Sequence, residues 1–369
     1  MPDDRPHASI ELYTTCPATS TDRAPRRPGF YSESGESYLR RVVKTARWSE
    51  DCGFHGMLLY IDNSLADNWA LAQLVIESTT DLVPLIATQP AYTHPYWVAK
   101  KIATLGHLYG RRIALNMLAG AFVNDLQALG DVTPHDRRYE RMTEYTLIIQ
   151  KLLARRSRPT TFKGEFYTLR NAVVHPLLPS ELMPIVLMSG SSEAGMAAAR
   201  RLGAVAVRYP KPVDFYEQQP LEQDIQFGVR LGIIARDDEQ DAWELAHERF
   251  PVDRQGQMVH KMATGSTDSV WHKDLTSLKQ EELTDSYPYW LVPFQNYKTF
   301  CPYLVGSYRR IAEIVARYIN VGFRTFITDI PLDQEELFHQ KIVFGMATKM
   351  AAAGVSTAAG NRQTEASRS

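Results

Sequence analysis

Short apolar runs alternate with longer segments of helical periodicity along almost the whole chain. The runs have the length and continuous hydrophobicity of strands that are covered on both faces. There are eight of them, at residues 8–15, 55–61, 82–88, 112–117, 184–188, 204–208, 225–235 and 323–328. This alternation predicts an α/β fold with a parallel sheet. Eight units, with no GxGxxG turn after the first, favour a closed (β/α)8 TIM barrel over an open doubly wound sheet.

Two segments interrupt the alternation, and we interpret them as insertions into one barrel domain of residues 1–351. Residues 160–180 have the pattern of a small hairpin, and residues 250–302 form a long, aromatic-rich excursion. The end of the excursion, residues 285–303, could be an apolar lid over the barrel mouth, or it could be core or subunit interface. Residues 352–369, rich in alanine, serine, threonine and glycine, are predicted to be a disordered tail.

Composition and charge exclude several classes of protein. The 369 residues include 41 basic and 42 acidic side chains, and this balance argues against nucleic acid or an anionic membrane as the main partner. The sequence has neither an apolar run of spanning length nor the apolar core of a signal peptide, so we expect a cytoplasmic protein. Cys16, Cys52 and Cys301 are odd in number and far apart, which fits reduced thiols rather than a disulfide framework or a metal site.

A turn rich in hydroxyls and glycine follows the fifth apolar run. It consists of Ser189, Gly190, Ser191 and Ser192, and a helical segment begins directly after it. The first N–H groups of a helix have no internal partner and carry partial positive charge, so such a turn can bind phosphate. Alternatively, Ser191 or Ser192 is only a helix N-cap. The turn's place at the carboxyl end of a barrel strand, where barrel active sites lie, favours the phosphate site.

Four motifs occur together in this chain: Gly164-Glu165-Phe166-Tyr167, the HDRRYER run of residues 135–141, Gly190-Ser191-Ser192-Glu193-Ala194 and Phe227-Gly228-Val229-Arg230. In combination they resemble the bacterial luciferase-like flavin monooxygenases, and within them the alkanesulfonate monooxygenase branch. The resemblance covers about residues 8–245 and the last helix and strand. It implies a barrel with insertions that binds reduced FMN (FMNH2) supplied by a separate NAD(P)H-dependent flavin reductase. It also implies O2 as co-substrate and a flavin C4a-peroxide that oxygenates a small organic substrate.

The resemblance also implies a set of residues around the phosphate of FMN. The phosphate would lie at Ser189–Ser192, and His135, Arg138 and Tyr139 would supply a cation and hydrogen-bond donors. Alternatively, residues 137–141 are only a solvated helix face with paired charges.

Three further residues match positions at the ends of barrel strands. Thr88 and Asn116 correspond to polar contacts with the isoalloxazine ring, although either could be a satisfied strand-end residue. Arg230 is the candidate catalytic residue, and its alternative is an ion pair with an acidic residue in the barrel mouth. We expect no metal site, and a homodimer or homotetramer.

Departures from the alkanesulfonate branch narrow the substrate. Gly232 stands where the branch has a histidine, Ile330 replaces a tyrosine, and the branch's mobile loop has no counterpart. A sulfonate needs cations and donors in place of its hydration, so these changes argue against alkanesulfonates, and Gly232 should leave open volume beside Arg230.

The leading interpretation is a two-component FMNH2-dependent monooxygenase of specialised or sulfur and nitrogen metabolism. One alternative is an FMN- or deazaflavin-dependent oxidoreductase that transfers hydride without oxygenating. Another is a flavin-binding homologue without catalytic activity. Loss of one general base does not abolish oxygenation, because the cofactor carries out the difficult step.

Overall fold

The computed structural model describes residues 9–19, 30–31, 34–120, 123–154, 158–266, 270–278 and 288–366. The strands are β1 Glu11–Thr15, β2 Ala18–Thr19, β3 Phe30–Tyr31, β4 Gly56–Leu59, β5 Val83–Thr88, β6 Ala114–Met117, β7 Thr160–Lys163, β8 Thr168–Ala172, β9 Ile185–Ser189, β10 Val205–Arg208, β11 Phe227–Arg236, β12 Tyr289–Trp290, β13 Tyr303–Ser307 and β14 Phe323–Thr328. The helices are α1 Gly35–Asp51, α2 Asn68–Ser78, α3 Pro95–Tyr109, α4 Val123–Ala128, α5 His135–Ala154, α6 Glu193–Leu202, α7 Val213–Gln218, α8 Glu239–Arg249, α9 Arg254–Ser266, α10 Val270–Ser277, α11 Val292–Gln295, α12 Tyr308–Asn320 and α13 Gln334–Ala366. A 3-10 turn spans Ser180–Leu182.

Eight of these strands form a closed parallel barrel. Their order is β10-β9-β6-β5-β4-β1-β14-β11, and the pairing of β10 with β11 closes the ring. Each apolar run identified in the sequence overlaps one of the eight strands. The predicted (β/α)8 barrel is therefore confirmed. None of the helices in the described part of the chain has the length and hydrophobicity of a membrane span.

The barrel interior is filled by side chains rather than by a channel. Alternate residues of the strands point inward and form one cluster: Tyr13, Leu58, Val83, Leu85, Ala114, Leu187, Val205, Val207 and Ile327. Gly56 is required beside them, because a Cβ at this position would lie 2.6 Å from the ring of Tyr13. Burying each large apolar side chain stabilises the fold by about 1.5–3 kcal/mol.

The hairpin of the first insertion explains the Gly-Glu-Phe-Tyr motif. Strands β7 and β8 pair in antiparallel, and the turn between them lies against helix α5. The Glu144 carboxylate accepts hydrogen bonds from the backbone N–H groups of Glu165, Phe166 and Tyr167, at 2.9, 3.1 and 2.6 Å. A Cβ at Gly164 would lie 2.1 Å from this carboxylate, so the motif's glycine leaves room for the cap. In this structure the motif is therefore a turn whose backbone N–H groups are capped by the Glu144 carboxylate.

The second insertion extends the barrel sheet. Strand β13 pairs in parallel with the outer half of β11, and β12 pairs with β13 in antiparallel. Tyr289, Trp290, Leu291 and Phe294 are each at most 3% exposed, so this stretch is core, and the lid alternative is wrong for it. The neighbouring residues 285–287 lie outside the described part of the chain.

The carboxyl-terminal segment differs from the expected disordered tail. Helix α13 continues to Ala366, so it includes residues 352–366, and residues 367–369 lie outside the described part. The physical reason is cooperativity, because residues 334–351 already form the helix and extending an existing helix costs less than starting one.

Candidate active site

Polar side chains line the carboxyl-terminal mouth of the barrel, one layer above its apolar interior. Six of them lie two positions beyond an inward-facing apolar residue of the same strand, and Arg230 pairs in register with Ile327. The full set is Thr15, Tyr60, Asn116, Ser189, Tyr209, Arg230 and Asp329. Barrel enzymes place their reactive groups at this end, so the ring is the candidate active site.

Arg230 is a buried cation, with 4% of its surface exposed. Its Nη1 donates to the Tyr209 hydroxyl at 3.4 Å, and its Nη2 donates to the Tyr60 hydroxyl. The guanidinium carbon also lies over the Tyr60 ring, 4.9 Å from its centroid. Nη2 is 3.6 Å from Oδ1 of Asp329, an acidic residue of the barrel mouth, as in the ion-pair alternative stated for Arg230. Arg230 therefore faces the barrel mouth and is paired within it.

Tyr303 fills the space beside Gly232, and the expected open volume there is wrong. A Cβ at Gly232 would lie 2.3–2.5 Å from atoms of the Tyr303 ring. The ring reaches this place because β13 pairs with β11, which sets Tyr303 opposite Gly232. Its hydroxyl donates to Oδ2 of Asp329 at 2.9 Å. Burial raises the pKa of Tyr303 well above its usual value, so the hydroxyl stays protonated and remains a donor.

A second buried ion pair fixes the loop that carries Asp329. Nη1 of Arg249 lies 2.7 Å from Oε1 of Glu336, and Nη2 donates to the Ile330 carbonyl at 3.0 Å. Oε2 of Glu336 accepts the N–H of Leu332 at 2.8 Å. The loop after β14 is thus clamped from both ends, and Asp329 is held toward Arg230.

On the other side of the mouth, the structure brings Asn116 and Ser189 together. The Ser189 hydroxyl donates to Oδ1 of Asn116 at 3.3 Å. Thr88 is also buried, but its hydroxyl donates at 3.2 Å to the Ile86 carbonyl of its own strand. This bond matches the alternative considered for Thr88, a satisfied strand end, and its contact with a flavin stays a prediction.

The turn after β9 forms a compact cradle at the start of α6. Ser192 is the N-cap, since its hydroxyl accepts the N–H of Gly195 at 3.1 Å. The Ser191 hydroxyl is buried and has no hydrogen-bond partner within the described residues. The Tyr139 hydroxyl lies over Gly190, where a Cβ would approach it to 2.7 Å, and it is hydrogen-bonded with Ser192. A buried hydroxyl beside a helix N-terminus fits an anion such as phosphate.

The HDRRYER run has one buried side and one solvated side. The His135 ring packs on the Tyr139 ring with centroids 5.2 Å apart, at the edge of the cradle. Arg138 is buried, and its Nη1 donates to the Thr133 carbonyl at 3.1 Å. Arg137 pairs at the surface with Glu140 and Glu165. The solvated-face alternative thus describes Arg137 but not Arg138 or Tyr139.

A family model described as "Luciferase-like monooxygenase" matches residues 23–325 of the chain. The chain belongs to the luciferase-like monooxygenase family. The resemblance found in the sequence is thus confirmed for the family, whereas the alkanesulfonate branch stays a prediction, and the protein is a flavin-dependent monooxygenase enzyme.

Individual relatives agree with this membership. The chain is 33% identical over 318 residues to "4-(gamma-L-glutamylamino)butanoyl-[BtrI acyl-carrier protein] monooxygenase BtrO" of Niallia circulans, covering 85% of this chain and 93% of the relative. Among solved structures, EDTA monooxygenase (EmoA) from Chelativorans sp. BNC1 aligns with a TM-score of 0.71 and 15% identity, over 92% of this chain and 94% of the other. DmoA from Hyphomicrobium sulfonivorans aligns with a TM-score of 0.68 and 16% identity, over 93% and 89%. At such identities the structural likeness shows the fold alone.

Several residues of this luciferase-like site were not predicted from the sequence. Tyr60 could have been found, since it follows the inward Leu58 by two positions. Tyr303, Arg249 and Glu336 gave no such signal, because their partners are far away along the chain.

Aromatic rings connect the mouth to a buried histidine pair in the second insertion. His260 and His272 lie with ring centroids 5.1 Å apart, and the His260 ring is 6.0 Å from that of Tyr297. The Tyr297 ring is 6.3 Å from that of Phe300, which in turn is 6.5 Å from that of Tyr60. The insertion therefore packs its own small core beside the mouth.

We expect acid to destabilise this insertion before the barrel. Burial lowers the pKa of His260 and of His272 to about 4, below the usual 6.5, so the unfolded chain takes up protons first as the pH falls. Stability is then complete above pH 6.5 and declines toward pH 4, by at most about 1.4 kcal/mol per pH unit for each histidine. Limited proteolysis at α9 and α10 from pH 7 to pH 4.5 should show cleavage rising in this window.

A matched pair of variants checks this expectation. His260→Leu should reduce the pH dependence of cleavage, whereas replacing the exposed His107 by leucine should leave it unchanged. Equal cleavage of wild type at pH 7 and pH 4.5 would contradict the prediction that protonation of His260 and His272 destabilises the insertion.

Proposed function

We propose that the protein is an FMNH2-dependent monooxygenase of a two-component system. It receives reduced FMN from a separate NAD(P)H-dependent flavin reductase and uses O2 to oxygenate a small organic substrate. The observation that carries this proposal is the cradle of Ser191, Ser192 and Tyr139, in which the buried Ser191 hydroxyl has no partner within the described residues and stands one position before the N-cap of α6. We further propose a cytoplasmic location and a homodimer or homotetramer.

The phosphate of FMN would be held by Ser191, Ser192 and the first N–H groups of α6. His135 and Tyr139 would close the cradle from α5, with Arg138 as a buried cation behind them. From the phosphate, the flavin ring would extend toward Asn116 at the end of β6 and Ser189 at the end of β9. Both side chains can exchange hydrogen bonds with the edge of the ring. Bound reduced FMN would supply the electrons for the activation of O2.

The residues of the mouth have two further tasks in this proposal. Phe300, Tyr297 and the core of the second insertion border the mouth with apolar surface, which helps to keep bulk water from the reaction. Arg230 and Asp329 lie inside this border, and we propose that they orient the substrate. Arg230 keeps the catalytic assignment made from the sequence in this sense, as a substrate-contacting group.

The curated relative suggests the substrate class. Its name describes an acyl chain with an amide group, bound to a carrier protein. We propose that the substrate of this protein likewise presents neutral carbonyl or amide groups to the mouth. Hydride transfer to a deazaflavin is the less favoured alternative, because the family and this relative are named as monooxygenases.

The phosphate assignment predicts a selective loss of affinity. Ser191→Ala should weaken reduced FMN about tenfold, as expected for one hydrogen bond to a charged group, and should leave reduced riboflavin unchanged because riboflavin has no phosphate. Anaerobic titrations of both ligands, with deazaflavin in parallel, measure this directly. Thr348→Ala, on a distant turn of α13, is the control.

Equal effects on both flavins would contradict the phosphate assignment. Mass analysis after admission of O2, with acyl amides as candidate substrates, then tests oxygenation, since the product should gain one oxygen atom. Binding of deazaflavin in preference to reduced FMN would overturn the proposal.

A further inference from the structure

The charged groups at the mouth form a balanced network. Arg230 and Arg249 contribute two cations, and Asp329 and Glu336 contribute two carboxylates. Tyr303 connects the two pairs, since its hydroxyl donates to Asp329 and the guanidinium of Arg249 lies 5.6 Å from its ring centroid. A substrate that enters the mouth therefore meets an arginine whose charge is already compensated.

The position of Asp329 is fixed from three directions. Its Oδ1 lies 3.6 Å from Nη2 of Arg230, and its Oδ2 accepts the Tyr303 hydroxyl at 2.9 Å. The loop that follows it is clamped by Arg249 through the Ile330 carbonyl. Because the side chains of Arg230 and Asp329 are only 4% and 10% exposed, water screens their charges weakly. The carboxylate cannot turn away when an anion approaches.

We propose that Asp329 is a specificity-determining residue, which compensates the charge of Arg230 and so makes the mouth select a neutral carbonyl or amide group over a sulfonate. This inference rests on the proposed function, because it concerns the substrate of the same site. An anion bound to Arg230 would also lie near Asp329, because the carboxylate is 3.6 Å from the guanidinium. In a poorly solvated site, the repulsion between this anion and the Asp329 carboxylate is large. A neutral carbonyl accepts hydrogen bonds from the guanidinium without this repulsion.

The test compares two probes of equal chain length, hexanesulfonate and hexanamide. Their binding is measured by calorimetry on the protein loaded with FMN. Wild type should prefer hexanamide. Asp329→Asn should bind hexanesulfonate about 10–100-fold more tightly, as expected when a nearby like charge is removed, and change its affinity for hexanamide less than about threefold. The double variant, Asp329→Asn combined with Arg230→Met, should not bind hexanesulfonate more tightly than wild type does.

Asp241→Asn, an exposed position on α8, changes the net charge equally and should leave both affinities unaltered. A wild type that prefers hexanesulfonate overturns the inference, and this measurement needs no variant to fold. An Asp329→Asn protein that retains FMN but gains no affinity for hexanesulfonate also overturns it. Failure of wild type to bind reduced FMN would instead contradict the proposed function, so the two failures are distinguishable.

Discussion

Gly232→Ala is expected to lower the free energy of unfolding by roughly 3 kcal/mol, the upper part of the usual range for overpacking a core. The added Cβ would lie 2.3 Å from the nearest ring atom of Tyr303, which is fully buried and bonded to Asp329. The ring is 0% exposed, so it can move only by displacing its neighbours. Urea unfolding followed by circular dichroism measures the loss.

A double-mutant cycle tests whether this collision is the cause. Tyr303→Ala also destabilises, because it leaves a cavity, but Gly232→Ala combined with Tyr303→Ala should cost clearly less than the sum of the two. Gly345→Ala, in a helix where a Cβ would meet nothing within 4 Å, should be neutral or slightly stabilising. If the effects of Gly232→Ala and Tyr303→Ala were strictly additive, the Tyr303 ring would not occupy the space beside Gly232.

The second large effect concerns the clamp behind Asp329. Arg249→Met should lower the free energy of unfolding by about 3–5 kcal/mol, since it leaves the buried Glu336 carboxylate without its cation. Arg249→Met combined with Glu336→Leu should recover a large part of the loss, because no buried charge then remains unpaired. The same urea series measures both variants.

Arg309→Met is the matched control for this prediction. Arg309 pairs with Glu313 on the surface of α12 and is 82% exposed, so its loss should cost less than about 1 kcal/mol. If Arg249→Met and Arg309→Met had equal effects, the clamp would contribute no more than a surface ion pair.

The barrel was predictable because each strand carries its own signal. Continuous apolar runs of the right length, separated by helical segments, are a local property, and all eight runs became barrel strands. The phosphate cradle was also local in part, since its serines follow one strand and cap the next helix. Its other half, Tyr139, was identified through the family motif.

The contacts that shape the mouth could not be predicted in the same way. Tyr303 reaches Asp329 only because β13 pairs with the outer half of β11, and no local pattern specifies that register. The same reason applies to Arg249 and Glu336, which are separated by 87 positions. The expectation of open space at Gly232 failed here, because the sequence shows a missing side chain but not the neighbour that replaces it.

Strand β11 has ten residues, and its two halves have different neighbours. The inner half belongs to the barrel ring, whereas the outer half carries β13 through main-chain hydrogen bonds. Backbone pairing depends little on side-chain identity, so the second insertion can accumulate substitutions while its attachment stays constant. Directed evolution can therefore change the side of the mouth formed by the second insertion without changing the barrel. A library confined to residues 297–300 would diversify the wall of the mouth and leave every barrel strand, as well as Tyr303 of β13, unchanged.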